Sequence, residues 1–238
     1  MLSETMNRAV LEEASTALMG AHPREILRWA VENYYPRLTM ATAFGPEGCV
    51  ILHLLSEIEP RVRVFNLDTG YQFAETLEIR DRIAARYGIE VEMVRAELSV
   101  PEYEAANGGP IYGTSPDRCC HDRKIVPLKQ AVVGYEAWIS AIRADQSAHR
   151  AKASVVGWDA KFGLVKVNPL LSWTKRDVWS FIVANDVPYN PLHDQGYPSI
   201  GCWPCTQAVN AGDDERAGRW SGTAKTECGL HSLDSSQL

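Results

Sequence analysis

Six cysteines carry most of the potential chemistry in this 238-residue chain. Two are adjacent, two are separated by two residues and two stand alone: Cys119 and Cys120, Cys202 and Cys205, and Cys49 and Cys228. The first residues are acidic where a secretion signal would be basic and then apolar, so we expect a cytoplasmic protein with reduced thiols. Metal ligation or thiol chemistry therefore explains these cysteines better than a disulfide framework does.

The adjacent pair and the Cys-x-x-Cys pair together offer four thiolates, which suit either tetrahedral zinc or an iron–sulfur cluster. Zinc ligands usually stand two to four residues apart, whereas adjacent cysteines can each bind a different iron of a [4Fe–4S] cube. The polar segment DRCCHDRK is also unlike a core segment. We favour a cluster; the alternatives are zinc, buried apolar cysteines and a redox-active Cys-x-x-Cys pair.

Cys228, in the segment KTECGLH, is not needed to complete a four-thiolate site. Flanked by Gly229 and followed by His231, it could act as a nucleophile on a movable C-terminal segment. Such a thiol reacts as its thiolate, which neighbouring cations favour. The alternative is an idle surface thiol.

Several basic residues lie near the cysteines in an otherwise acidic sequence. For any one of them, simple exposure to water is the better interpretation, but their clustering predicts a site for a polyanion. They are Arg118, Arg123, Lys124, Arg143, Arg150, Lys152, Arg216 and Arg219.

Two turns follow predicted strands. TAFGPEG (42–48) could present backbone N–H groups to an anion, although it matches neither the dinucleotide fingerprint nor the Walker pattern. LDTG (67–70) closes the next strand at the same edge of the sheet, where ligands of open α/β sheets bind. Taken alone, TAFGPEG is more simply explained as an ordinary strand-to-helix turn. In LDTG, Asp68 and Thr69 explain the segment about as well as caps of the following helix.

The elements that must position these residues follow from the periodicity of apolar side chains. Helices are predicted within the first 35 residues, before a break at Pro36. Strands are predicted at 38–44, 61–67 and 89–94, with helices at 49–58 and 73–87 between them. This alternation is typical of a parallel sheet with helices on its faces.

The second half of the chain is less regular. A polar loop is predicted at 101–116, followed by a helix that runs from the double cysteine to Val133. Further strands are predicted at 136–142 and 164–170, and a capped helix at 174–186. The residues after Asp213 are predicted to form a tail.

Composition bounds the function. Apolar residues make up 45% of the chain and charged residues 23%, which is typical of a globular protein rather than a disordered one. The apolar runs are too short to cross a bilayer. A formal net charge of −6 argues against nucleic acid as the main partner.

Seven segments, in order, resemble the assimilatory sulfonucleotide reductases, which are thioredoxin-dependent adenylylsulfate and phosphoadenylylsulfate reductases. They are TAFGPEG, LDTGYQFAET, CCHDRKIVPL, DQSAHR, GCWPC, RAGRW and KTECGLH. The resemblance is to the branch that carries an iron–sulfur cluster. It implies an α/β, parallel-sheet fold of the adenine nucleotide α-hydrolase type, related to PP-loop enzymes. It also implies one sulfonucleotide-binding domain over 1–212 and a mobile, catalytic C-terminal tail over 213–238.

The resemblance further implies a role for each site residue. Cys228 would attack the sulfur of adenylyl sulfate, expelling AMP and forming an S-sulfocysteine from which thioredoxin releases sulfite. One [4Fe–4S] cluster would be bound by Cys119, Cys120, Cys202 and Cys205. The expected substrate-binding residues are Ala43, Phe44, Gly45, Asp68, Lys124, Arg150, Arg216, Arg219 and His231.

Several alternatives stay open from the sequence. The turn AFGPEG lacks the serines of the SFSGAED type found in many adenylylsulfate reductases. Within the family, however, the cluster cysteines usually accompany a preference for adenylyl sulfate. The resemblance therefore implies adenylyl sulfate as the substrate, with its 3′-phosphorylated form, or both, as alternatives. A PP-loop iron–sulfur tRNA-thiolation enzyme would need an SGGxDS-type loop, and a zinc-stabilised binding or redox-sensing module would leave Cys228 unused. The oligomeric state is open and includes a homo-oligomer.

Overall fold

Six strands form one sheet in the computed structural model of the chain, which describes residues 4–210, 212–223, 225 and 227–230. The order across the sheet is β3-β2-β1-β4-β6-β5. All neighbouring strands are parallel except β5 and β6, which form an antiparallel edge. The strands are β1 (Leu38–Thr42), β2 (Arg63–Asp68), β3 (Val91–Arg95), β4 (Ala137–Ile139), β5 (Val156–Asp159) and β6 (Leu164–Val167).

Helices cover both faces of the sheet. They are α1 (Glu4–Ala17), α2 (Pro23–Tyr34), α3 (Pro46–Ile58), α4 (Ala74–Tyr87), α5 (Val100–Asn107), α6 (Pro116–Cys120), α7 (Val126–Ala131) and α8 (Lys175–Ala184). One π-helical turn, His121–Ile125, joins α6 to α7. No helix among the described residues is both long enough and apolar enough to cross a bilayer.

The alternation of side chains along the strands divides the core in two. On β2, Val64 points into the larger cluster, which packs under α2, α3 and α8, while Phe65 points into the smaller cluster under α7. On β4, Ile139 and Trp138 are divided in the same way. Because successive strand residues face opposite sides, a strand buried on both faces reads as an apolar run, as AWI does in β4.

The predicted βαβαβ order is confirmed. The strand predicted at 38–44 ends at Thr42, and the helix predicted from Cys49 begins at Pro46, so the predicted turn supplies the first turn of α3. The loop predicted at 101–116 is wrong in its first half, where α5 forms. Ser99 caps α5, and the Glu102 side chain accepts a hydrogen bond from the Ser99 backbone in return. This capping box was visible in the sequence as Ser-x-x-Glu and outweighs the polar composition.

Strand order places a crevice at one edge of the sheet. From β1 the chain moves outward through β2 to β3, then returns to place β4 on the other side of β1. The connections after β1 and β4 therefore lead in opposite directions and leave a gap between them. This gap, at the carboxyl ends of the strands, is where open α/β sheets bind ligands.

Candidate active site

A cavity with about 1340 Å³ of empty space, counting its open mouth, lies at this strand-order reversal. We call it the main cavity. Its floor includes Thr42 at the end of β1, Leu67 on β2 and Trp138 on β4, and the start of α3 forms one wall. The C-terminal segment closes it from above through Cys228 and Leu230. Strand ends, a helix N-terminus and the chain's last described residues therefore meet around one space.

The glycine turn aims backbone groups at this cavity. Ala43 and Gly45 line it, and α3 begins directly after Gly45, so that its first N–H groups are available to an anion. A Cβ on Gly48 would lie 2.7 Å from Thr42 Oγ1, so glycine is what allows the helix to approach the strand. Phe44 adopts a positive φ of 55° and buries its side chain in the core, 1% exposed. Its predicted contribution to substrate binding is thus limited to its backbone.

Asp68 has a different environment from the one predicted. Its carboxylate accepts a hydrogen bond from the Gly70 backbone at 2.9 Å and pairs with Arg95 at 2.8 Å. It does not cap the following helix either, since Phe73 occupies that position. These contacts assign the side chain to the turn, while its neighbours Leu67 and Thr69 line the main cavity.

The four cysteines of the predicted metal site line a second, smaller cavity, which we call the thiol cavity. Cys119 and Cys120 reach it from α6, and Cys202 and Cys205 from the loop after α8. The Thr69 hydroxyl lies 3.3 Å from the Cys202 sulfur. Among the described residues, no three His, Cys, Asp or Glu side chains are arranged so that they could hold a single metal ion.

Burial and repulsion from neighbouring sulfurs keep Cys119 and Cys205 protonated in the absence of a positive partner. Burial, and to a lesser extent the neighbouring Cys202 and Cys205 sulfurs, raise the pKa of Cys119 to about 11 against the opposing charges of Lys124 and Arg123. Burial and the Cys202 sulfur likewise raise the pKa of Cys205. Cys119 and Cys205, whose ionisation the Cys202 sulfur opposes, form with Cys120 and Cys202 a donor set that a cationic centre would complete.

Lys124 connects the two cavities, because its side chain lines both of them. Burial disfavours its ammonium form, but the sulfurs of Cys202, Cys228 and Cys120 raise its pKa above the usual value. The residue therefore stays charged between the thiols and the main cavity. It follows the double cysteine along the π-helical turn, which directs it to this position.

Cys228 lies in the main cavity and also touches the thiol cavity through Cys120. A hydrogen bond donated by the Cys120 thiol lowers the pKa of Cys228 well below its usual value. Burial opposes this effect, while Lys124, the Leu230 backbone N–H and Arg219 add to it. When Cys120 serves as a metal ligand, the last three groups are the ones left to stabilise the Cys228 thiolate.

Two of the predicted anion-binding arginines are paired with the tail itself. The Glu227 carboxylate accepts two hydrogen bonds from Arg150, both of 2.9 Å, and one of 3.0 Å from Arg216. The same carboxylate accepts the backbone N–H of Cys228 at 2.8 Å. We call Arg150, Arg216 and Glu227 the arginine–glutamate cluster. On the other side of Cys228, Lys161 Nζ donates to the Gly229 carbonyl at 2.7 Å.

The tail is fastened near its start to the segment that carries the Cys-x-x-Cys pair. Gln207 and Trp220 donate backbone hydrogen bonds to Gly218 and Cys205, at 2.8 and 3.0 Å. A Cβ on Gly218 would lie 2.1 Å from the Gln207 carbonyl oxygen, so this approach requires glycine. The Arg219 guanidinium lies 4.5 Å from the centre of the Trp220 ring and lines both cavities.

Apart from the four cysteines of the predicted metal site, seven predicted site residues line the main cavity, whereas Phe44 and Asp68 do not. The seven are Ala43, Gly45, Lys124, Arg150, Arg216, Arg219 and Cys228. His231 lies outside the described residues. Sequence reasoning missed Glu227, Lys161, Gln72 and His193, because single charged or polar residues in loops give no periodic signal.

Two of these missed residues, whose side chains line the main cavity, carry buried polar atoms without a hydrogen-bond partner among the described residues. These atoms are Gln72 Oε1 and His193 Nε2. Burial lowers the pKa of His193 to about 4, so its ring is neutral at pH 7. Buried polar atoms without partners are rare in folded proteins and are often completed by a bound molecule.

Comparison with known proteins agrees with this geometry. Residues 37–208 match the family described as phosphoadenosine phosphosulfate reductase domain. An adenosine 5′-phosphosulfate reductase of Bacillus pumilus is 46% identical over 207 residues, covering 87% of this chain and 89% of that protein. A phosphoadenosine 5′-phosphosulfate reductase of Gloeobacter violaceus is 44% identical over 229 residues, covering 95% of both chains.

Solved structures show the same fold. The crystal structure of phosphoadenylyl-sulfate reductase from Candida auris, a phosphate complex, superposes with a TM-score of 0.75 and 30% identity, covering 88% of this chain and 98% of that one. Candida glabrata FMN adenylyltransferase, at 17% identity, 80% and 66% coverage and a TM-score of 0.55, shares the fold alone. With a matching fold, a matching domain and relatives above 40% identity over most of its length, the chain belongs to the sulfonucleotide reductase family.

Proposed function

We propose that this protein is an adenylyl-sulfate reductase, which converts adenylyl sulfate to sulfite and AMP with electrons from a thioredoxin-type dithiol. One observation carries the proposal: a thiol, Cys228, lines a nucleotide-sized cavity together with Lys124, Arg150, Arg216 and Arg219. A nucleophilic sulfur among cations suits a substrate whose reacting sulfur bears negatively charged oxygens.

The adenylate moiety would lie along the strand ends, where the first N–H groups of α3 and the turn at Ala43 and Gly45 face the cavity. Gln72 and His193 supply polar atoms that a ribose or base could satisfy. The sulfate end would then lie towards Lys124 and Arg219. This orientation brings its sulfur towards Cys228, since all three side chains line the same cavity.

In the first step, the Cys228 thiolate attacks the sulfur of adenylyl sulfate. A sulfur–sulfur bond forms, the sulfur–oxygen bond to the 5′-phosphate breaks, and AMP leaves with that electron pair. Lys124 and Arg219 offset the repulsion between a thiolate and an anionic substrate and stabilise the charge on the leaving phosphate. Closure of the tail over the main cavity holds the thiol in position and excludes water.

In the second step, a thiolate of the reductant attacks Cys228, and sulfite leaves with the electron pair of the sulfur–sulfur bond. The second thiol of the dithiol then resolves the mixed disulfide, which returns Cys228 to the thiol and oxidises the reductant. This exchange requires the tail, over 213–238, to carry Cys228 out of the main cavity to meet a protein partner. A reduced thiol chemistry of this kind fits a cytoplasmic location.

We further propose that the thiol cavity holds one [4Fe–4S] cluster. The donor set fits, because four thiols from two segments line one space, and burial together with neighbouring sulfurs raises the pKa values of Cys119 and Cys205. Cys119, Cys120, Cys202 and Cys205 would be the ligands. Bound there, the cluster would supply structure and local electrostatics, since the two electrons of the reaction come from thiols.

The substrate's 3′ position separates the two candidate activities. Relatives in Bacillus pumilus and Bacillus subtilis carry the name adenosine 5′-phosphosulfate reductase, at 46% and 43% identity, whereas the Gloeobacter violaceus relative is named for the 3′-phosphorylated substrate. We favour adenylyl sulfate because relatives that are 42–46% identical over most of the chain carry that name. Reduction of the 3′-phosphorylated form is the second candidate.

Sulfite release tests the proposal. Anaerobically purified protein, with thioredoxin and its reductase, is given adenylyl sulfate and, separately, its 3′-phosphorylated form. A strong preference for adenylyl sulfate is expected. Comparable rates would replace the proposal by a dual-specificity enzyme, and sulfite from neither substrate, with iron present, would reject it.

A further inference from the structure

The arginine–glutamate cluster poses a problem for substrate binding. Arg150 and Arg216 line the main cavity, yet both already donate hydrogen bonds to a carboxylate of the same chain. Side-chain exposure is 8% for Arg150 and 12% for both Arg216 and Glu227. An anionic ligand that needs these guanidinium groups must therefore compete with Glu227.

The pairing resembles that of a bound oxyanion. Arg150 approaches both carboxylate oxygens in the two-pronged geometry with which arginine recognises carboxylate, sulfate or phosphate. One of those oxygens also accepts from Arg216 and from the Cys228 backbone. Although burial raises the pKa of Glu227, the two guanidinium groups lower it overall, so the group is an anion at neutral pH.

Charge balance explains why such a group is needed. Two buried guanidinium groups in the same cavity repel each other, and leaving a buried charge unpaired is strongly unfavourable. Burial and the charge of Arg150 lower the pKa of Arg216 to about 10, while Glu227 acts in the opposite direction. The carboxylate makes the empty cavity stable; an oxyanion of the substrate could perform the same function.

We propose that Glu227 is an internal substitute for the substrate's oxyanion, held by Arg150 and Arg216 while the site is empty and exchanged for that oxyanion when the sulfonucleotide binds. The inference rests on the proposed function and deepens it. Because Glu227 precedes Cys228, the exchange also releases the backbone N–H of the nucleophile from its carboxylate partner. Substrate binding and repositioning of Cys228 are thereby linked through one side chain.

Competition of this kind has a measurable consequence. The apparent affinity for an anion falls as the fraction of molecules in which Glu227 is bound to Arg150 and Arg216 rises. Glu227→Gln keeps the size of the side chain and removes its charge, so the competitor is weakened. Glu90→Gln is the matched control, since Glu90 is an exposed residue ahead of β3 and the substitution removes the same charge.

The experiment uses the anaerobic holoenzyme and AMP as the probe, with affinity measured by calorimetry. We expect Glu227→Gln to bind AMP about tenfold more tightly than wild type, and Glu90→Gln to bind it as wild type does. Unchanged or weaker binding by Glu227→Gln would overturn the proposal. It would assign to Glu227 only the fastening of the tail.

Hydrogen exchange of the tail gives an independent readout. In wild type, AMP should speed exchange in the peptide that contains Cys228, because Glu227 is released from the arginines. In Glu227→Gln, exchange should already be fast and insensitive to AMP. Slower exchange on AMP binding to wild type would contradict the proposal. Neither measurement involves turnover, so a failure of sulfite release would reject the proposed function separately.

Discussion

The thiol cavity and the arginine–glutamate cluster bury like charges in opposite ways. Around the thiol cavity, burial and neighbouring sulfurs raise the pKa values of Cys119 and Cys205, and nearby cations, among them Lys124, do not cancel that effect. In the arginine–glutamate cluster, the chain supplies its own counter-ion, Glu227, with short hydrogen bonds to both arginines. In our proposals, a cluster from outside would complete the first site, whereas the substrate's oxyanion would displace Glu227 from the second.

Cys228 lies between the two sites, and this position accounts for its chemistry. Its sulfur contacts the thiol side through Cys120, and its backbone contacts the arginine side through Glu227. The thiol side tunes the ionisation of the sulfur, and the arginine side holds the segment in place. Changes to either site should therefore affect Cys228 by different and separable routes.

The largest effect is expected from removing the nucleophile that both sites serve. Cys228→Ser should lower sulfite release by about 10³-fold or more, because a serine hydroxyl is not ionised at neutral pH. AMP affinity and iron content should stay at wild-type values, since both cavities keep their remaining residues. Sulfite assay, calorimetry and iron analysis check the three expectations. Turnover at a tenth of the wild-type rate would exclude Cys228 as the nucleophile.

The next largest effect should come from removing one of the four proposed cluster ligands in the thiol cavity. Cys205→Ser should lose most of the bound iron and at least about tenfold in activity, because a thiolate ligand is replaced by a poor one. Cys49→Ala is the matched control: Cys49 is fully buried in α3, and burial raises its pKa to about 12. Full iron occupancy in Cys205→Ser would contradict the ligand assignment.

The sequence predicts those features of the two sites that leave a local pattern, and it does not predict which distant segments meet. The strands and helices around β1 and β2 were predictable, because apolar runs and turn residues report local structure. The thiol cavity was predictable as a set, since Cys119, Cys120, Cys202 and Cys205 are few and chemically distinctive. Segment spacing alone could not show that the two pairs, with Cys202 lying 82 positions after Cys120, share one space with Lys124.

The arginine–glutamate cluster was only half predictable. Arg150 and Arg216 were expected to bind an anion, and they do, but the anion is Glu227 of the same chain. A glutamate in a polar tail looks like an ordinary exposed residue, because nothing local distinguishes a buried ion pair from a solvated charge. The antiparallel edge strand β5 was missed for a related reason: its four residues, VGWD, are too short to show alternation.

Substitution of Lys124, which lines both the main cavity and the thiol cavity, tests whether its charge acts on the substrate. Lys124→Ala should lower kcat/KM by about ten- to a hundredfold, the range for a lost charged hydrogen bond, because no other lysine is expected to replace it between sulfur and substrate. Iron content should stay close to wild type, since the thiol ligands are unchanged. Lys129→Ala, at an exposed position on α7, is the control. Equal kinetics for both variants would mean that Lys124 serves neither site.

The smallest expected effect concerns the contact opposite the arginine–glutamate cluster. Lys161 donates to the Gly229 carbonyl, so Cys228 is fastened on both sides. Lys161→Met keeps the apolar stem and removes the donor, and one such hydrogen bond contributes about 1 kcal/mol. We expect sulfite release to fall about two- to fivefold and tail exchange to quicken, with AMP affinity unchanged or slightly raised. This expectation follows because a less firmly held tail weakens Glu227 as a competitor of the incoming anion. A loss of AMP affinity would instead mean that Lys161 contacts the substrate.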